Sequence, residues 1–300
     1  MAGSDQALFD RRCRLTIANP VKEPNSFKSE TTNVTEIDGG RNDSGLIGMR
    51  VQFDIKKTLK KEPNTSTITV SNLSADSRAK FQAKGVHVTL EAGYKDTGMV
   101  RYFAGDVRTV DHVRVGADWE STFRLGDGER AWQFARVNES FAPGAAVSDV
   151  LRSIAGRMGV DLGNAIEQAD KQSAKLDQGF CVSGSASRAL DQLMKSIGME
   201  WSIQDGALQF LKIAQVLDLP IPEIGPESGL LDSPEMGSPQ KKGKPALVKF
   251  KCLLTAVKPG AKVKLKSERY NGYLRVVACN FKGDTSGGDW YSEISGELLK

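Results

Sequence analysis

Histidine occurs only twice in the 300 residues, at His87 and His112. Two imidazoles cannot build a His-rich metal site or a relay of several catalytic histidines, so much of enzymology is excluded at the outset. Cysteine is equally sparse: Cys13, Cys181, Cys252 and Cys279 stand far apart, with no C-x-x-C pair among them. They are expected as buried thiols in a reducing compartment. No stretch approaches the roughly 18 consecutive apolar residues of a membrane helix. The opening Met1-Ala2-Gly3-Ser4-Asp5-Gln6 lacks the basic and then apolar plan of an export signal, so a soluble chain with no membrane anchor is expected. Charge of one sign is also missing. Lys+Arg 41 against Asp+Glu 37 leaves +4, too little to argue a nucleic-acid partner from the total.

What is present is alternation of period two. Cys13, Leu15 and Ile17 oppose Arg12, Arg14 and Thr16; Val51, Phe53 and Ile55 oppose Gln52, Asp54 and Lys56; Ile68 and Val70 oppose Thr67 and Thr69. Each set puts one apolar face on a core. A polar stretch from Lys22 to Gly48, rich in Ser, Thr, Asn and Gly, is expected as a long mobile loop or insertion. Ser74 is placed to cap a short helix that follows Leu73 and stops by Gly85. Strands then resume at Val86 to Ala92, Met99 to Ala104, Asp106 to Val115 and Trp119 to Leu125. Such a meander suggests a closed or nearly closed antiparallel barrel, which leaves no free edge.

At Phe141-Ala142-Pro143-Gly144 the period changes to 3.6. Val147, Val150, Leu151, Ile154, Ala155 and Met158 share one helical face, and a second helix after Ser185 repeats the plan with Ala189, Leu190, Leu193 and Ile197. Trp201 and Ile203, the turn Asp205-Gly206, then Leu208 and Phe210 read as a hairpin. Six of the eleven prolines fall between Pro220 and Pro245, which makes that stretch a connector. Strand pattern returns from Val248 to Leu298. The fold class expected is mainly β with an α+β insert. Residues 1–141 form an N-terminal β unit with the polar insertion at 22–48, 142–219 the insert, 220–245 the connector, and 246–300 a C-terminal β segment.

Nothing in the pattern singles out catalysis. A serine hydrolase would need His87 or Asp111-His112 as its base, there is no G-x-S-x-G elbow, and both histidines sit in strand patterns. A glycosidase-type carboxylate pair is not marked out among the 37 acids. Gly283-Asp284-Thr285-Ser286-Gly287-Gly288-Asp289 and Asp38-Gly39-Gly40-Arg41-Asn42-Asp43 lack the alternating ligands and terminal Glu of a calcium loop, and read as turns. No catalytic, metal or cofactor-binding residue is assigned and no cofactor is expected. The local signal is basic: eleven Lys or Arg lie between Lys241 and Arg275 against the single acid Glu268. Lys262, Lys264 and Lys266 share one strand face, without the interleaved aromatics of a nucleic-acid platform, and form a candidate electrostatic face for an acidic partner. Lys56-Lys57 and Lys60-Lys61 are read in the same way, as a solvated face or an electrostatic seam.

Four stretches, in order and spacing, resemble the baseplate hub proteins of tailed bacteriophages, the family of Mu-like and T-even tails and of contractile injection systems. They are Val51-Gln52-Phe53-Asp54-Ile55-Lys56-Lys57-Thr58 continuing to Ser71-Asn72-Leu73-Ser74; Ala92-Gly93-Tyr94 followed by Phe103-Ala104-Gly105-Asp106-Val107; Phe141-Ala142-Pro143-Gly144 leading to Asp149-Val150-Leu151; and Gly283-Asp284-Thr285 with Gly287-Gly288-Asp289-Trp290. The resemblance implies two tail-tube-like β-barrel domains flanking a small α/β domain. It also implies a structural, non-enzymatic role in the tail baseplate of the virion, in a protein assembled in the host cytoplasm. The homotrimer would adapt a six-fold tube to a three-fold spike. Its implied partners are tail tube or distal tail proteins, the central spike, other baseplate proteins and a tape-measure protein, with DNA only as cargo in the lumen. A tail-associated peptidoglycan-degrading enzyme and a carbohydrate- or protein-binding β-module remain the alternatives.

Overall fold

In the computed structural model, which describes residues 11–22, 30–40, 48–82, 85–95, 97–171, 175–237 and 246–299, the alternating runs are strands. The first are β1 (Arg11–Lys22), β2 (Glu30–Gly40), β3 (Val51–Thr58) and β4 (Thr65–Ser71), followed by the short helix α1 (Ala75–Phe81), β5 (His87–Tyr94), β6 (Gly98–Val115) and β7 (Asp118–Gly126). The insert runs α2 (Glu129–Phe134), β8 (Arg136–Phe141), α3 (Val147–Met158), α4 (Ala165–Lys171), β9 (Phe180–Ser185), α5 (Ala186–Ser196), β10 (Met199–Gln204) and β11 (Ala207–Lys212). Two-residue strands β12 (Glu223–Ile224) and β13 (Glu235–Met236) lie in the proline-rich stretch. β14 (Leu247–Leu253), β15 (Lys262–Lys266), β16 (Asn271–Asp284) and β17 (Trp290–Leu298) follow.

Strands from both ends of the chain join one sheet, in the order β13-β14-β17-β16-β3-β4-β7-β6-β5-β1-β2, with β15 on β16 and β12 parallel to β15. The joint is β16. One of its edges carries β17; the other carries β15 along residues 271–275 and β3 along 278–284. A register shift between Val276 and Ala278 marks a bulge. The inward faces therefore make one core, in which Leu15, Phe53 and Phe123 pack with Val263, Phe281 and Trp290. Phe53 meets Trp290 edge-on at 5.5 Å between centroids. Each large side chain sealed in this way contributes about 1.5–3 kcal/mol.

The mainly β class with an α+β insert is the observed one, but three expectations change. Among the described residues the strand path is open, ending at β13 and β2, so the closed barrel does not form. Strand β3 finds its second neighbour in β16, from the far end of the sequence. The polar stretch 22–48 contains β2, paired with β1 from Arg12↔Gly40 to Lys22↔Glu30; the remaining 23–29 and 41–47 lie outside the described residues. Ile37 is buried in the main core, while Val34 and Glu36 are exposed, so a terminal strand with little core contact carries little apolar pattern. Finally, the insert begins before residue 142, because Ala131 and Val137 already belong to its core with Leu151, Ile154, Leu190 and Phe210.

Local signals behave as their chemistry requires. The Ser74 hydroxyl accepts the Ser77 N–H at 3.1 Å and caps α1, though the helix closes at Phe81 rather than by Gly85. Amphipathic α3 and α5 bury their apolar stripes in the second core. Cys13, Cys252 and Cys279 are buried thiols; Cys181 is exposed, because its register opposite Ser140 in the β8–β9 pair turns it outward.

Candidate functional site

The two histidines do not form a catalytic pair. His112 Nε2 lies 3.2 Å from the Arg78 carbonyl, which can only accept, so Nε2 donates there and Nδ1 accepts the Ser121 hydroxyl at 2.9 Å. Ser121 is fully buried and the third group is a carbonyl rather than a carboxylate, so the arrangement ties α1 to the sheet. His87 Nδ1 stands 3.3 Å from Asp106 Oδ1 on the exposed surface of β5 and β6.

The Gly283–Asp289 loop is closed on itself. Asp284 receives Arg50 Nε and a second Arg50 nitrogen at 3.1 and 2.6 Å, Gln52 Nε2 at 3.0 Å and the Ser286 N–H at 2.9 Å. Arg11 donates to the Gly287 carbonyl at 2.5 Å. Burial pushes the Asp284 carboxyl up, but the bonds from Arg50, Ser286 and Gln52 outweigh it and hold the group below the usual carboxylate range. Its oxygens already have donors, so the loop is a braced turn. At the other glycine loop, Asp38 accepts Arg14 Nε at 2.9 Å, while residues 41–43 lie outside the described residues. No cluster of three His, Cys, Asp or Glu side chains able to hold a metal ion occurs among the described residues.

The lysine stripe is real in geometry and shared in charge. Val263 and Leu265 point into the core, while Lys262, Lys264 and Lys266 point out. Glu223 of β12 takes Lys264 at 2.9 Å and Lys266 at 2.5 Å, and Lys262 Nζ sits 4.1 Å from the centre of the Tyr273 ring. Glu223, which sequence reading did not connect to this stripe, reaches it because β12 runs parallel to β15 in register Glu223↔Lys264.

A second polar cluster, absent from sequence reading, fixes the insert to the sheet. The β10–β11 turn, Asp205-Gly206, has φ of 54° and 79°, the left-handed pair that a two-residue hairpin turn requires. Its backbone N–H groups donate to Asp127 at 2.7 and 2.8 Å. The Asp205 carboxylate takes Lys57 Nζ at 2.5 Å and the Ala104 N–H at 3.1 Å. Gln204 Nε2 donates to the Thr58 carbonyl at 2.7 Å, and the Cβ-free Gly128, at φ 68°, lets Ile203 pack against the backbone where the chain leaves the sheet. On the other side Arg275 pairs with Glu200 and donates to the Gln215 carbonyl at 2.7 Å. Lys57, expected on a solvated face, is instead 4% exposed, because it follows Val51, Phe53 and Ile55 on the inward parity of β3. Removing one partner of the buried Lys57–Asp205 pair would leave the other charge uncompensated in the junction.

Between β5–β6 and α2–α3 the junction leaves a cleft of about 750 Å³ lined by Arg101, Asp106, Phe134, Arg157 and Asp161. A smaller cavity of about 510 Å³ lies against Lys56, Lys251, Asn280 and Glu293.

No family model matches the sequence, and no curated protein matches it. Solved structures do. The 43 kDa tail protein of prophage MuSo2 from Shewanella oneidensis superposes with a TM-score of 0.63 at 8% identity, over 95% of this chain and 96% of that one. A tail protein from Neisseria meningitidis MC58 gives 0.61 at 9% identity, with the same coverage. The Escherichia coli c3393 protein, a type VI secretion component described as similar to the T4 tail proteins gp27 and gp5, gives 0.54 at 8% identity, over 84% of this chain and 74% of that one. The fold of this chain is the fold of these tail proteins.

Proposed function

We propose that the chain is the baseplate hub of a phage tail, a structural protein that forms a trimeric ring between a six-fold tail tube and a three-fold spike. The observation that carries this reading is the end-to-end agreement of the fold with phage tail proteins, across nearly all of both chains. The described similarity of the Escherichia coli type VI secretion component to the tail proteins gp27 and gp5 supports a place in a tail assembly. An adaptor must hold its parts in fixed orientation, and the buried Lys57–Asp205 pair, with the partly exposed Arg275–Glu200 pair, supports such a role by tying the insert to the sheet. The partners are the tail tube or distal tail proteins, the spike, neighbouring baseplate proteins and the tape-measure protein, with DNA passing through the lumen. Lys262, Lys264 and Lys266 belong to a contact surface in this reading.

Sedimentation of the purified protein and mass spectrometry of purified tails test the proposal. A trimer in solution and the chain in the tail fraction are expected. A monomer at every concentration, absent from virions, overturns it. A zymogram with peptidoglycan is expected to stay uncleared; clearing abolished by a single carboxylate substitution would reverse the assignment in favour of a hydrolase.

A further inference from the structure

Strand β6 continues well past the core. Its first half buries Tyr102, Phe103 and Ala104, but from Asp111 onward it forms with β7 a hairpin arm whose end exposes Val113 (56%) and Val115 (52%). Their cross-strand partners are Glu120 and Asp118. Directly opposed residues of an antiparallel pair share a face, so two exposed valines and two carboxylates form one patch. Arg124 is taken by Asp111 at 3.5 Å, and Arg50, which senses both Glu120 and Asp118, is committed to Asp284. The patch therefore stays acidic.

The register places this patch on the same side of the sheet as the lysine stripe. Tyr273 and Arg275 continue through the bulge to Ala278, because Arg275 and Ala278 oppose Glu297 and Ser295, which share a side of β17. From Ala278 the face passes along β16 to Lys282, then across to Asp54, Thr67 and Arg124. Two-residue steps along β7 reach Thr122, Glu120 and Asp118. This is the face opposite the one that carries the main core, and the two patches stand on strands separated by β16, β3 and β4. At the β15 end, three lysines against Glu223 leave a net charge of about two positive. Tyr273 (40%) is exposed beside them, and Ile221, just before β12, is 47% exposed.

Resting on the trimer reading above, we infer that the β6–β7 arm of one copy, through Val113, Val115, Asp118 and Glu120, docks on the Lys262–Lys264–Lys266 and Tyr273 face of the next copy. Both halves are on one chain, at opposite ends of one face, with opposite charge and an apolar centre each. That is the composition of a heterologous, head-to-tail contact, which makes a ring when its rotation closes.

Charge reversal and cross-linking test it. Asp118→Lys with Glu120→Lys, and separately Lys262→Glu with Lys266→Glu, are each expected to weaken trimer formation by at least about tenfold in sedimentation equilibrium. All four changes in one chain are expected to restore it. In a Cys181→Ser background, Val115→Cys with Lys264→Cys is expected to yield oxidised species of up to three chains, and neither cysteine alone does so. A trimer that ignores both charge sets and gives no cross-link overturns this contact and leaves the hub reading standing. A parent chain that never associates, with no cross-link, overturns both.

Discussion

The carboxylate of Asp127 accepts both backbone N–H groups of the Asp205-Gly206 turn, from Asp205 at 2.7 Å and from Gly206 at 2.8 Å. The sheet thus holds the tip of the insert by a residue only 1% exposed. Burial dominates and pushes the Asp127 carboxyl up to about 6; the turn's N–H bonds and Lys57 pull the other way, and the neighbouring Asp205 charge adds to the rise. The folded chain thus binds this proton more tightly than the unfolded chain, whose carboxyl titrates near 3.8. The stability this gives is complete below that lower value and is lost as pH rises through about 6. Going from about pH 8 to about pH 5, this group adds about 1.4 kcal/mol. Asp127→Asn is expected to remove that gain, visible as a flatter dependence of the thermal midpoint on pH over this interval.

The Lys57–Asp205 pair is buried on both sides, with side-chain exposures of 5% and 10%. Lys57→Met strands the carboxylate and is expected to cost about 3–5 kcal/mol in urea unfolding. Adding Asp205→Asn is expected to recover most of the loss, because Asn tolerates the left-handed turn position and its carbonyl still accepts the Ala104 N–H. A double variant as unstable as the single one would mean the pair is not the source of the loss.

Gly128 is the hinge point between β7 and α2. A Cβ there would stand 2.6 Å from Ile203 Cγ2 on a backbone of φ 68°. Gly128→Ala combines left-handed strain with overpacking and is expected to destabilise by about 2–4 kcal/mol. Gly128→Ala with Ile203→Ala removes the clash and leaves the backbone strain. The clash is measured by how much less the alanine at 128 costs in an Ile203→Ala chain than in the parent.

The Asp284 loop is expected to be indifferent to calcium. Arg50→Ala should lower the melting midpoint by the equivalent of about 1–3 kcal/mol, since it removes both charged bonds to a largely buried carboxylate. Calcium added to the parent chain should leave the midpoint unchanged, and a rise with calcium would show a ligand loop instead of a braced turn.

Thiol reagents are expected to label one cysteine per native chain, Cys181, and all four after unfolding. Burial pushes the Cys252 thiol up to about 12 and raises Cys13 and Cys279 as well, so these three are neither accessible nor ionised. Native labelling of a Cys181→Ser chain would contradict the assignment.

Much of the fold was legible because single residues carried it: Val51, Phe53 and Ile55 alternate as a half-buried strand must, and Leu190, Leu193 and Met194 mark one helical face. Strand β2 was not, since a terminal strand with little core contact needs little apolar pattern, and Thr, Asn and Asp there read as loop. The pairing of β3 with β16 was hidden for another reason: Lys56↔Asn280 and Asp54↔Lys282 join residues more than two hundred positions apart, and alternation says nothing about which strand lies alongside. The junction was missed at Lys57, which reads as solvated beside Lys56 although its parity in β3 is inward. Asp127 was missed too, because a lone aspartate after a strand is an ordinary turn residue until its two N–H donors arrive from the insert. The lysine stripe was legible as a face, whereas Glu223 reached it through a parallel pairing that no local pattern announces.

The pairing of β3 with β16 also sets a timetable. As the chain leaves the ribosome, β3 has β4 on one side and an open edge on the other until residues 278–284 are made. Closing a loop of that length is slow, and an unpaired edge is open to other chains meanwhile. A chain interrupted before this segment would lack the strand that gives β3 its second neighbour, and would keep an open edge in the middle of its own sheet.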